Sequence, residues 1–393
     1  MKVLVTGAKG FVGRNLCLTL EQMPDVEVLK YDLGDEAKLD GYAAECDFVM
    51  HLAGVNRPKD PAEFKTGNTV FTEDILEKLA ARPNPPPVLL SSSIQAALEN
   101  DYGKSKAAAE AAVRAYGEKT GAPVFIYRLA NVFGKWCRPN YNSAVATWVY
   151  NIARDLPIMV RDPTATVTLV YIDDVVRSFI SHVERVDRVE ERNVGSRVDE
   201  EVNNSTRSTC STRLKYLSVE PSYTKTLGEI VELIKSFHDE PNNLMVPDQA
   251  DGFTKKLYST YLAALPEDKF SYPLTMHCDN RGSFTEALHS AERGQVSVNV
   301  SKPGIAKGQH WHHTKHEKFL VVSGKGEINF RMADDPSGKV ITYKVSGEKL
   351  EVVRIPPGYT HNIVNVGDTD MVTLMWANEV FDPANPDTFR LEV

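Results

Sequence analysis

The spacing of apolar residues in this chain changes partway along, and that change constrains the fold more than any other feature. Through the first half, short apolar runs alternate with segments of helical spacing. This alternation predicts an α/β domain with a doubly wound parallel sheet covered by helices on both faces. From about Gln295, short β-branched runs separated by glycine turns take over, and these predict an antiparallel barrel or sandwich.

We therefore expect two domains, over residues 1–265 and 266–393, each long enough to bury its own core. The expected parallel strands are 3–5, 26–31, 48–52, 88–90 and 124–127. A polar stretch at about 184–224 is predicted to be a mobile insertion or a long surface loop.

The net charge of −8 argues against a nucleic acid or an anionic membrane surface as a partner. Five scattered cysteines, with no Cys-x-x-Cys pair, favour reduced thiols over a disulfide framework. The chain opens on an apolar strand without a signal peptide, and no apolar run approaches the roughly 18 residues of a membrane span. These features predict a cytoplasmic protein with no membrane insertion.

Three glycines at positions 7, 10 and 13 follow the first strand and open a helix at Phe11 and Val12. A dinucleotide pyrophosphate needs small residues there, because the backbone must turn tightly and present helix N-terminal N–H groups. Such a motif alone can be an ordinary tight turn, but its place directly after the first strand favours a Rossmann-type dinucleotide site.

Tyr102 and Lys106 are four residues apart and so share one helix face. An ammonium beside a phenol lowers the pKa of the phenol, which lets the tyrosine exchange a proton near neutral pH. A serine hydroxyl that could hold a substrate carbonyl ends the fourth strand, at Ser91-Ser92-Ser93. Together with the glycine motif, this set indicates a reductase.

These residues resemble the extended short-chain dehydrogenase/reductases, whose usual substrates are nucleotide sugars. The resemblance also covers 51–54, 128–134 and 171–175. It implies that Tyr102 is the proton donor, that Lys106 binds the nicotinamide ribose, that Ser93 polarises the substrate carbonyl and that Asn131 contacts substrate. The residues expected at the cofactor are Gly7, Lys9, Gly10, Phe11, Val12, Gly13, Asp32, Leu52, Ala53, Tyr102 and Lys106.

The cofactor preference is open on these residues alone. Asp32 ends the second strand, where a carboxylate grips the ribose 2′-hydroxyl of NAD. Lys9 and Lys30 favour the 2′-phosphate of NADPH instead.

The second half carries a candidate metal site. His310 and His312 alternate on one strand and so point to one face, Glu317 follows, and His361 comes after a Pro-Pro-Gly turn. Three imidazoles and a carboxylate suit Zn²⁺ or another first-row metal. The glycine, histidine and glutamate spacing from Gly304 to Asn365 resembles the metal motif of the cupins.

A second resemblance overlaps this one, to the cupin-type keto-sugar 3,5-epimerases, through residues 279–286 and 317–321. It implies that His310 is a base, that Lys318 stabilises an enolate and that Arg281 and Glu286 contact the sugar nucleotide. His310 cannot be both the free base and a metal ligand. If the metal holds it, His313 or His316 becomes the base.

Nearly the whole chain also resembles a family of bifunctional capsular-polysaccharide enzymes, through stretches that include 6–15, 133–142, 294–302, 310–326 and 358–376. The resemblance implies a homodimer in which a zinc-bearing cupin epimerises carbon 3 of a UDP-linked 4-keto-6-deoxy amino sugar. The reductase would then reduce the ketone with NADPH, with NADH as the other possibility, on the route to UDP-N-acetyl-L-fucosamine. The alternative is a single-function reductase with a structural, metal-stabilised cupin.

Overall fold

The computed structural model describes residues 1–56, 58, 60, 62–195 and 216–393. The chain divides into two compact units. The first comprises Met1–Ile234 with Lys256–Leu265, and the second comprises Lys235–Lys255 with Pro266–Val393. The division differs from the boundary predicted at residue 265 in one segment, 235–255, which joins the second unit.

The first unit is built on a five-stranded sheet in the order β2-β1-β3-β4-β5, with every neighbouring pair parallel. Its strands are β1 (Lys2–Thr6), β2 (Glu27–Tyr31), β3 (Phe48–His51), β4 (Val88–Ser93) and β5 (Val124–Leu129). Because β1 lies between β2 and β3, the strand order reverses there and opens a crevice at the carboxyl ends of these strands.

Helices connect these strands. Their bounds are α1 (Phe11–Leu20), α2 (Glu36–Glu45), α3 (Ala62–Phe64), α4 (Phe71–Ala80), α5 (Asp101–Thr120), α6 (Ala144–Ile152), α7 (Ile172–Gly195), α8 (Leu227–His238), α9 (Glu240–Asn243) and α10 (Gly252–Leu262). A π-helical turn, Lys65–Val70, joins α3 to α4. A smaller sheet holds β6 (Asn131–Phe133), β7 (Thr166–Tyr171) and β8 (Ser222–Thr226), in that order.

The strands of the larger sheet are apolar because helices cover them. Val3, Leu4 and Val5 are fully buried, and apolar side chains of α2, α4 and α5 pack around Leu4. A continuous apolar run is the pattern expected of a parallel strand covered on both faces. The predicted doubly wound fold is confirmed.

The second unit contains two antiparallel sheets. Its strands are β9 (His277–Asp279), β10 (Gly282–Ser290), β11 (Gly294–Ser301), β12 (Ala306–Trp311), β13 (Glu317–Ser323), β14 (Lys325–Met332), β15 (Ile341–Ser346), β16 (Val352–Ile355), β17 (Tyr359–Asn365), β18 (Met371–Ala377) and β19 (Phe389–Arg390). The sheet orders are β16-β13-β18-β11-β10-β9 and β15-β14-β17-β12-β19. Phe319 of the first sheet and Phe330 of the second belong to one core cluster, so the sheets pack face to face. The predicted all-β architecture is confirmed.

About half of the predicted polar insertion, residues 196–215, lies outside the described residues. Within the rest of the 184–224 stretch, α7 continues to Gly195 and β8 begins at Ser222. The four cysteines in the described residues are free thiols.

Within the described ranges, we find no helix with both the length and the apolar character needed to cross a membrane.

Candidate functional site

The glycine turn between β1 and α1 has the close backbone packing that a dinucleotide site needs. Gly7 has φ +71°, and a Cβ on Gly13 would lie 2.1 Å from the carbonyl oxygen of Gly7. Gly10 precedes α1 and provides no side-chain cap, which leaves the N–H groups of the first turn available to an anion.

Gly13→Ala is expected to damage this turn, because the new methyl group would collide with the backbone of Gly7. Overpacking of this kind costs roughly 1–3 kcal/mol of folding free energy, and dinucleotide binding should be lost with it. Gly41→Ala in α2 is the matched control, since nothing lies within 4 Å of its new Cβ. That control should bind normally and gain about 0.5–1 kcal/mol. Binding titrations and chemical denaturation of both variants test this, and normal dinucleotide binding by Gly13→Ala would contradict it.

A series of buried hydrogen bonds between side chains fixes the end of β3. The hydroxyl of Thr6 accepts hydrogen bonds from the N–H groups of Leu52 and Ala53, each at 3.2 Å. His51 links Thr6 to Thr72 through its two ring nitrogens, at 2.7 and 2.8 Å. Burial, with a smaller contribution from the charge of Lys106, lowers the pKa of His51 to about 3, so the ring is neutral. The backbone at Leu52 and Ala53 is thereby held next to Gly7.

The predicted reductase residues come together where β4 ends and α5 begins. Tyr102 forms a hydrogen bond with Ser93. The buried ammonium of Lys106 donates to the carbonyl oxygen of Ser91 at 3.2 Å and lies 6.0 Å from the centre of the Tyr102 ring. The structure therefore brings Ser93, Tyr102 and Lys106 into one cluster.

The electrostatics of this cluster differ from the sequence prediction. Burial raises the pKa of Tyr102, and its hydrogen bond with Ser93 offsets this only in part. Burial also lowers the pKa of Lys106 to about 8. The prediction that the ammonium lowers the tyrosine pKa is therefore wrong for the protein by itself, because desolvation of the phenol is the larger effect.

Sequence reasoning missed the support beneath this cluster. Glu110 is buried and receives two hydrogen bonds from Arg128, at 2.9 and 2.7 Å, and one from Ser92 at 2.6 Å. It lies four residues after Lys106, so α5 carries tyrosine, lysine and glutamate on one face. The four-residue spacing of Tyr102, Lys106 and Glu110 could have indicated this arrangement from the sequence. Asn68, also missed, donates to the Ser105 hydroxyl at 3.0 Å and so ties the π-helical turn to α5.

The ribose end of the predicted cofactor site is a cleft of about 550 Å³ beside Asp32. The two carboxylate oxygens of Asp32 accept the N–H groups of Lys9 and Leu33, at 2.6 and 2.9 Å. Lys30 is paired with Glu21. Arg14, which the sequence analysis missed, lines the same cleft with its guanidinium carbon 5.0 Å from the centre of the Trp136 ring. Its position directly after Gly13 was the only feature of the sequence that could have indicated a place at the cofactor.

In the second unit, the four predicted metal ligands come together. The ligand atoms of His310, His312, Glu317 and His361 all lie within 4.8 Å of one another. The Nε2 atoms of His312 and His361 lie 3.5 and 3.4 Å from one Glu317 oxygen. A β-bulge between Gly308 and His310, with Gln309 at φ +64°, precedes the first two histidines. Bulges of this kind re-aim side chains beside functional sites.

The donor atoms of this cluster fit a divalent ion. The Nε2 atoms of His312 and His361 and Oε2 of Glu317 are buried and make no hydrogen bond, a state that metal coordination would relieve. Bonds of about 2.0–2.1 Å in a tetrahedral zinc site place neighbouring ligand atoms roughly 3.3–3.4 Å apart, close to the observed separations. Burial raises the pKa of Glu317, but the two histidines outweigh it and hold that pKa well below its usual range. Burial lowers the pKa of His310 to about 4.

Two residues predicted to act beside this cluster do not lie in it. Lys318 follows Glu317 on β13 and so faces the opposite side of the sheet, with its ammonium 4.6 Å from the centre of the Trp376 ring. The His313 ring is exposed and packs against Trp311 and Phe389, at 4.5 and 4.8 Å. Neither side chain therefore lies among the predicted metal ligands, and for Lys318 the reason is that neighbouring residues on a strand point to opposite faces.

His316 is not one of the clustered metal ligands either. The exposed ring of His316 lies 5.8 Å from that of Trp376, the ring that Lys318 contacts. Asn131 belongs to β6 of the first unit, where its amide donates to the carbonyl oxygen of Thr168 at 3.2 Å.

The predicted substrate contacts lie at different places along β10, with Glu286 in the middle of the strand and Arg281 directly before its first residue. Glu286 is bonded to His289, and His289 shares a cross-strand row with Gln295, Ala377 and Glu317. Arg281 precedes the strand and is exposed, with its guanidinium bonded to Asp279 at 2.6 and 2.9 Å. At about 3.4 Å per residue, it lies roughly 25 Å along the sheet from that row. Glu286, but not Arg281, therefore lies towards the end of the sheet that carries Glu317.

Comparison with known proteins finds a different family for each of two parts of the chain. Residues 3–195 match the NAD dependent epimerase/dehydratase family, and residues 277–389 match the polysaccharide biosynthesis C-terminal domain. The first match implies a cofactor of the NAD(P) type. A UDP-glucuronic acid 4-epimerase from Bacillus cereus, solved with NAD, covers 67% of the chain with a TM-score of 0.51 and 18% identity, which supports the fold of the first unit.

Two relatives match along the whole chain. UDP-2-acetamido-2,6-beta-L-arabino-hexul-4-ose reductase from Pseudomonas aeruginosa is 45% identical over 394 residues, covering 100% of this chain and 99% of the relative. The crystal structure of the capsular polysaccharide assembling protein CapF from Staphylococcus aureus superimposes with a TM-score of 0.87, 48% identity and full coverage of both chains. Both relatives are similar to this protein from end to end, and both domain types are present. The chain therefore belongs to the family of nucleotide-sugar reductase/epimerase enzymes that includes CapF.

Proposed function

We propose that this protein is a bifunctional nucleotide-sugar enzyme. Its second unit epimerises carbon 3 of a UDP-2-acetamido-2,6-dideoxy-4-hexulose. Its first unit then reduces the 4-keto group to give UDP-2-acetamido-2,6-dideoxy-L-talose, on the route to UDP-N-acetyl-L-fucosamine for a capsule or other surface polysaccharide. The observation that carries the proposal is one chain holding both the Ser93–Tyr102–Lys106 cluster and the buried histidine–glutamate cluster. A cytoplasmic location is part of the proposal.

The first cluster has the groups that a ketone reduction needs. The cofactor, when bound, supplies a hydride to carbon 4 of the sugar. The Ser93 hydroxyl orients the carbonyl oxygen, and the Tyr102 hydroxyl donates a proton to that oxygen as its negative charge develops. Lys106 is positioned by Ser91 to hold the cofactor ribose and to place a positive charge near the phenol.

The second cluster can support enolisation. A carbonyl at carbon 4 acidifies the hydrogen at carbon 3, and a nearby cation stabilises the enolate that forms when this proton is removed. Return of a proton to the opposite face of carbon 3 then inverts the centre. We propose His310, His312, Glu317 and His361 as the ligands of a Zn²⁺ ion, because their donor atoms and spacings suit it. With His310 among the ligands and the His313 ring packed against Trp311 and Phe389, the hydrogen-bonded Glu286–His289 pair is our candidate for the proton acceptor.

We propose NADPH as the cofactor. Both Asp32 oxygens already accept backbone N–H groups, so this carboxylate has a structural role in holding the glycine turn. Arg14 lines the same cleft and has no carboxylate partner among the described residues, so its guanidinium can receive a 2′-phosphate.

Arg14→Ala should therefore lower kcat/KM for NADPH by about 10-fold or more, because a hydrogen bond to a charged group is lost. The same variant should have nearly the wild-type kcat/KM for NADH. Steady-state kinetics with both cofactors measure this ratio. Lys30→Ala is the control in the same cleft, since Glu21 already pairs with its ammonium. An equal loss with both cofactors would reject the assignment of Arg14 to the 2′-phosphate.

We propose that the protein forms a homodimer through the second unit. One row of apolar side chains crosses four strands on the outer face of a sheet, and Val352 and Leu374 in it are 55% and 39% exposed. The row consists of Val352, Leu320, Leu374 and Val298. A second copy of the chain would remove these side chains from water.

A single-function reductase with a structural second unit is the alternative. The observation that favours it is the displacement of Lys318 and His313 from the metal ligands, which removes two predicted participants in epimerisation. Under this alternative the metal only stabilises the sheets.

Product analysis separates the two proposals. The purified protein would be incubated with the UDP-linked 4-keto-6-deoxy amino sugar and NADPH, and the product followed by NMR. The bifunctional proposal requires reduction at carbon 4 together with inversion at carbon 3. A product reduced at carbon 4 with carbon 3 unchanged would reject it in favour of the alternative.

A further inference from the structure

The C-terminal residues 387–393 cross over β12, which carries His310, and over the start of the loop after it, which carries His312. We call them the C-terminal strap. The strap forms β19, whose residues Phe389 and Arg390 pair with Trp311 and His310 of β12. Residue 387 lies 75 positions from His312, so no local pattern in the sequence connects the two.

One end of the strap holds the β-bulge before His310. The N–H of Leu391 donates to the carbonyl oxygen of Gln309 at 3.0 Å, and the N–H of Val393 donates to its side-chain oxygen at 2.9 Å. Gln309 has φ +64°, an unfavourable conformation for a residue with a Cβ. Both hydrogen bonds compensate for that conformation and fix the direction in which His310 leaves the strand.

The other end of the strap holds the loop between His312 and Glu317. The Asp387 carboxylate accepts the N–H groups of His313, Thr314 and Lys315, at 2.8, 2.7 and 2.8 Å. It also accepts the Thr314 hydroxyl at 3.1 Å. The loop must keep one shape for His312 and Glu317 to meet at 3.5 Å, and three backbone hydrogen bonds to one carboxylate impose that shape.

Asp387 also acts on a metal ligand directly. Its backbone carbonyl oxygen is bonded to Nδ1 of His312. A carbonyl oxygen only accepts, so Nδ1 carries the proton and Nε2 is left with its lone pair among the other proposed ligand atoms. The hydrogen bond therefore selects both the tautomer and the ring orientation that metal binding requires.

We infer that Asp387 is a positioning residue that raises the affinity of the metal site for its ion. Its main-chain carbonyl orients His312, and its side chain fixes the 313–315 loop. This inference rests on the zinc site proposed above. Outer partners of metal-bound histidines typically contribute about 10–100-fold to metal affinity.

The test uses the full chain and Zn²⁺ alone, without substrate or cofactor. Zinc affinity would be measured by competition with a chromophoric chelator for wild type, Asp387→Ala, Asp387→Asn and Asp382→Ala. Asp382 is the matched control, because its carboxylate caps a turn at Ala384 in the same C-terminal region and lies outside the strap. We expect about 10–100-fold weaker binding for Asp387→Ala, weaker binding for Asp387→Asn, and wild-type binding for Asp382→Ala.

A second readout separates positioning from general stability. In the Co²⁺-substituted proteins, the visible absorption bands of the ion should change for Asp387→Asn and stay as in wild type for Asp382→Ala. If Asp387→Ala does not fold, Asp387→Asn decides the question, since it keeps the size of the side chain. Wild-type zinc affinity and cobalt spectrum in a folded Asp387 variant would overturn the inference. Failure of the wild type to bind zinc would instead overturn the proposed metal site itself.

Discussion

Tyr102→Phe is expected to remove reduction of the 4-keto sugar while leaving hydrogen exchange at carbon 3 intact. The variant keeps the aromatic ring between its neighbours but loses the hydroxyl that bonds Ser93 and donates the proton. Loss of a general acid typically lowers kcat by about 100- to 10,000-fold. Oxidation of NADPH in single-turnover and steady-state assays measures the first effect, and NMR in D₂O measures the second.

Tyr116→Phe provides the matched control on the same helix. The Tyr116 hydroxyl donates to the carbonyl oxygen of Pro86 at 2.7 Å and does not contact Ser93. Its removal should cost about 1 kcal/mol of stability and leave the turnover unchanged. Reduction at near wild-type rates by Tyr102→Phe would refute the assigned proton donor, and loss of exchange in that variant would refute the separation of the two activities.

His361→Ala is expected to have the second large effect, the loss of both bound zinc and carbon 3 exchange. His361 is 1% exposed, its Nε2 lies 3.4 Å from the Glu317 carboxylate, and its ring centre lies 4.6 Å from that of His310. Removing this imidazole takes one of the ligands from the centre of the cluster. Zinc content should fall from about one ion per chain to near zero, and exchange should fall by about 100-fold or more.

The control for this variant is His313→Ala. The sequence analysis named His313 as a possible base, whereas the structure places its exposed ring against Trp311 and Phe389. Zinc content and exchange should both remain close to wild type. Reduction of a substrate that already has the inverted carbon 3 should persist in His361→Ala. A His361→Ala protein that keeps its zinc and its exchange activity would contradict the metal site.

Much of the fold followed from the period of the apolar residues. Continuous apolar strands between helices specify a covered parallel sheet, and short alternating strands between glycine turns specify antiparallel sheets. The assignment of 235–255 could not be predicted this way. That segment joins the second unit through hydrogen bonds between the backbones of Leu244 and Val246 and that of His289, and such long-range pairing leaves no local signal.

The meeting of the four proposed metal ligands could be predicted in part from their spacing. His310 lies on β12 and His312 follows two residues later, just after that strand ends, and the β12–β17 pairing places His361 opposite His310. Strand parity also places Lys318 on the face opposite Glu317, and this placement could have been predicted from the sequence alone. His313 lies in the bend after β12, so strand parity predicts nothing about its direction.

The electrostatics could not be read from spacing. Tyr102 and Lys106 lie one helical turn apart, as expected, yet the pKa of the tyrosine is raised because other elements bury the phenol. Asp387 was missed for a related reason. Its role depends on a contact with a histidine 75 residues away, and a single carboxylate near the end of the chain has no distinguishing pattern.

The central claim is that the second unit performs chemistry of its own, and one measurement tests it most directly. The zinc-loaded protein would be incubated in D₂O with the UDP-linked 4-keto-6-deoxy amino sugar, without any nicotinamide cofactor, and followed by NMR. Our account predicts deuterium at carbon 3, in the wild type and in Tyr102→Phe alike. An unlabelled carbon 3, with reduction at carbon 4 still proceeding once NADPH is added, would contradict the account and leave a reductase whose second unit is structural.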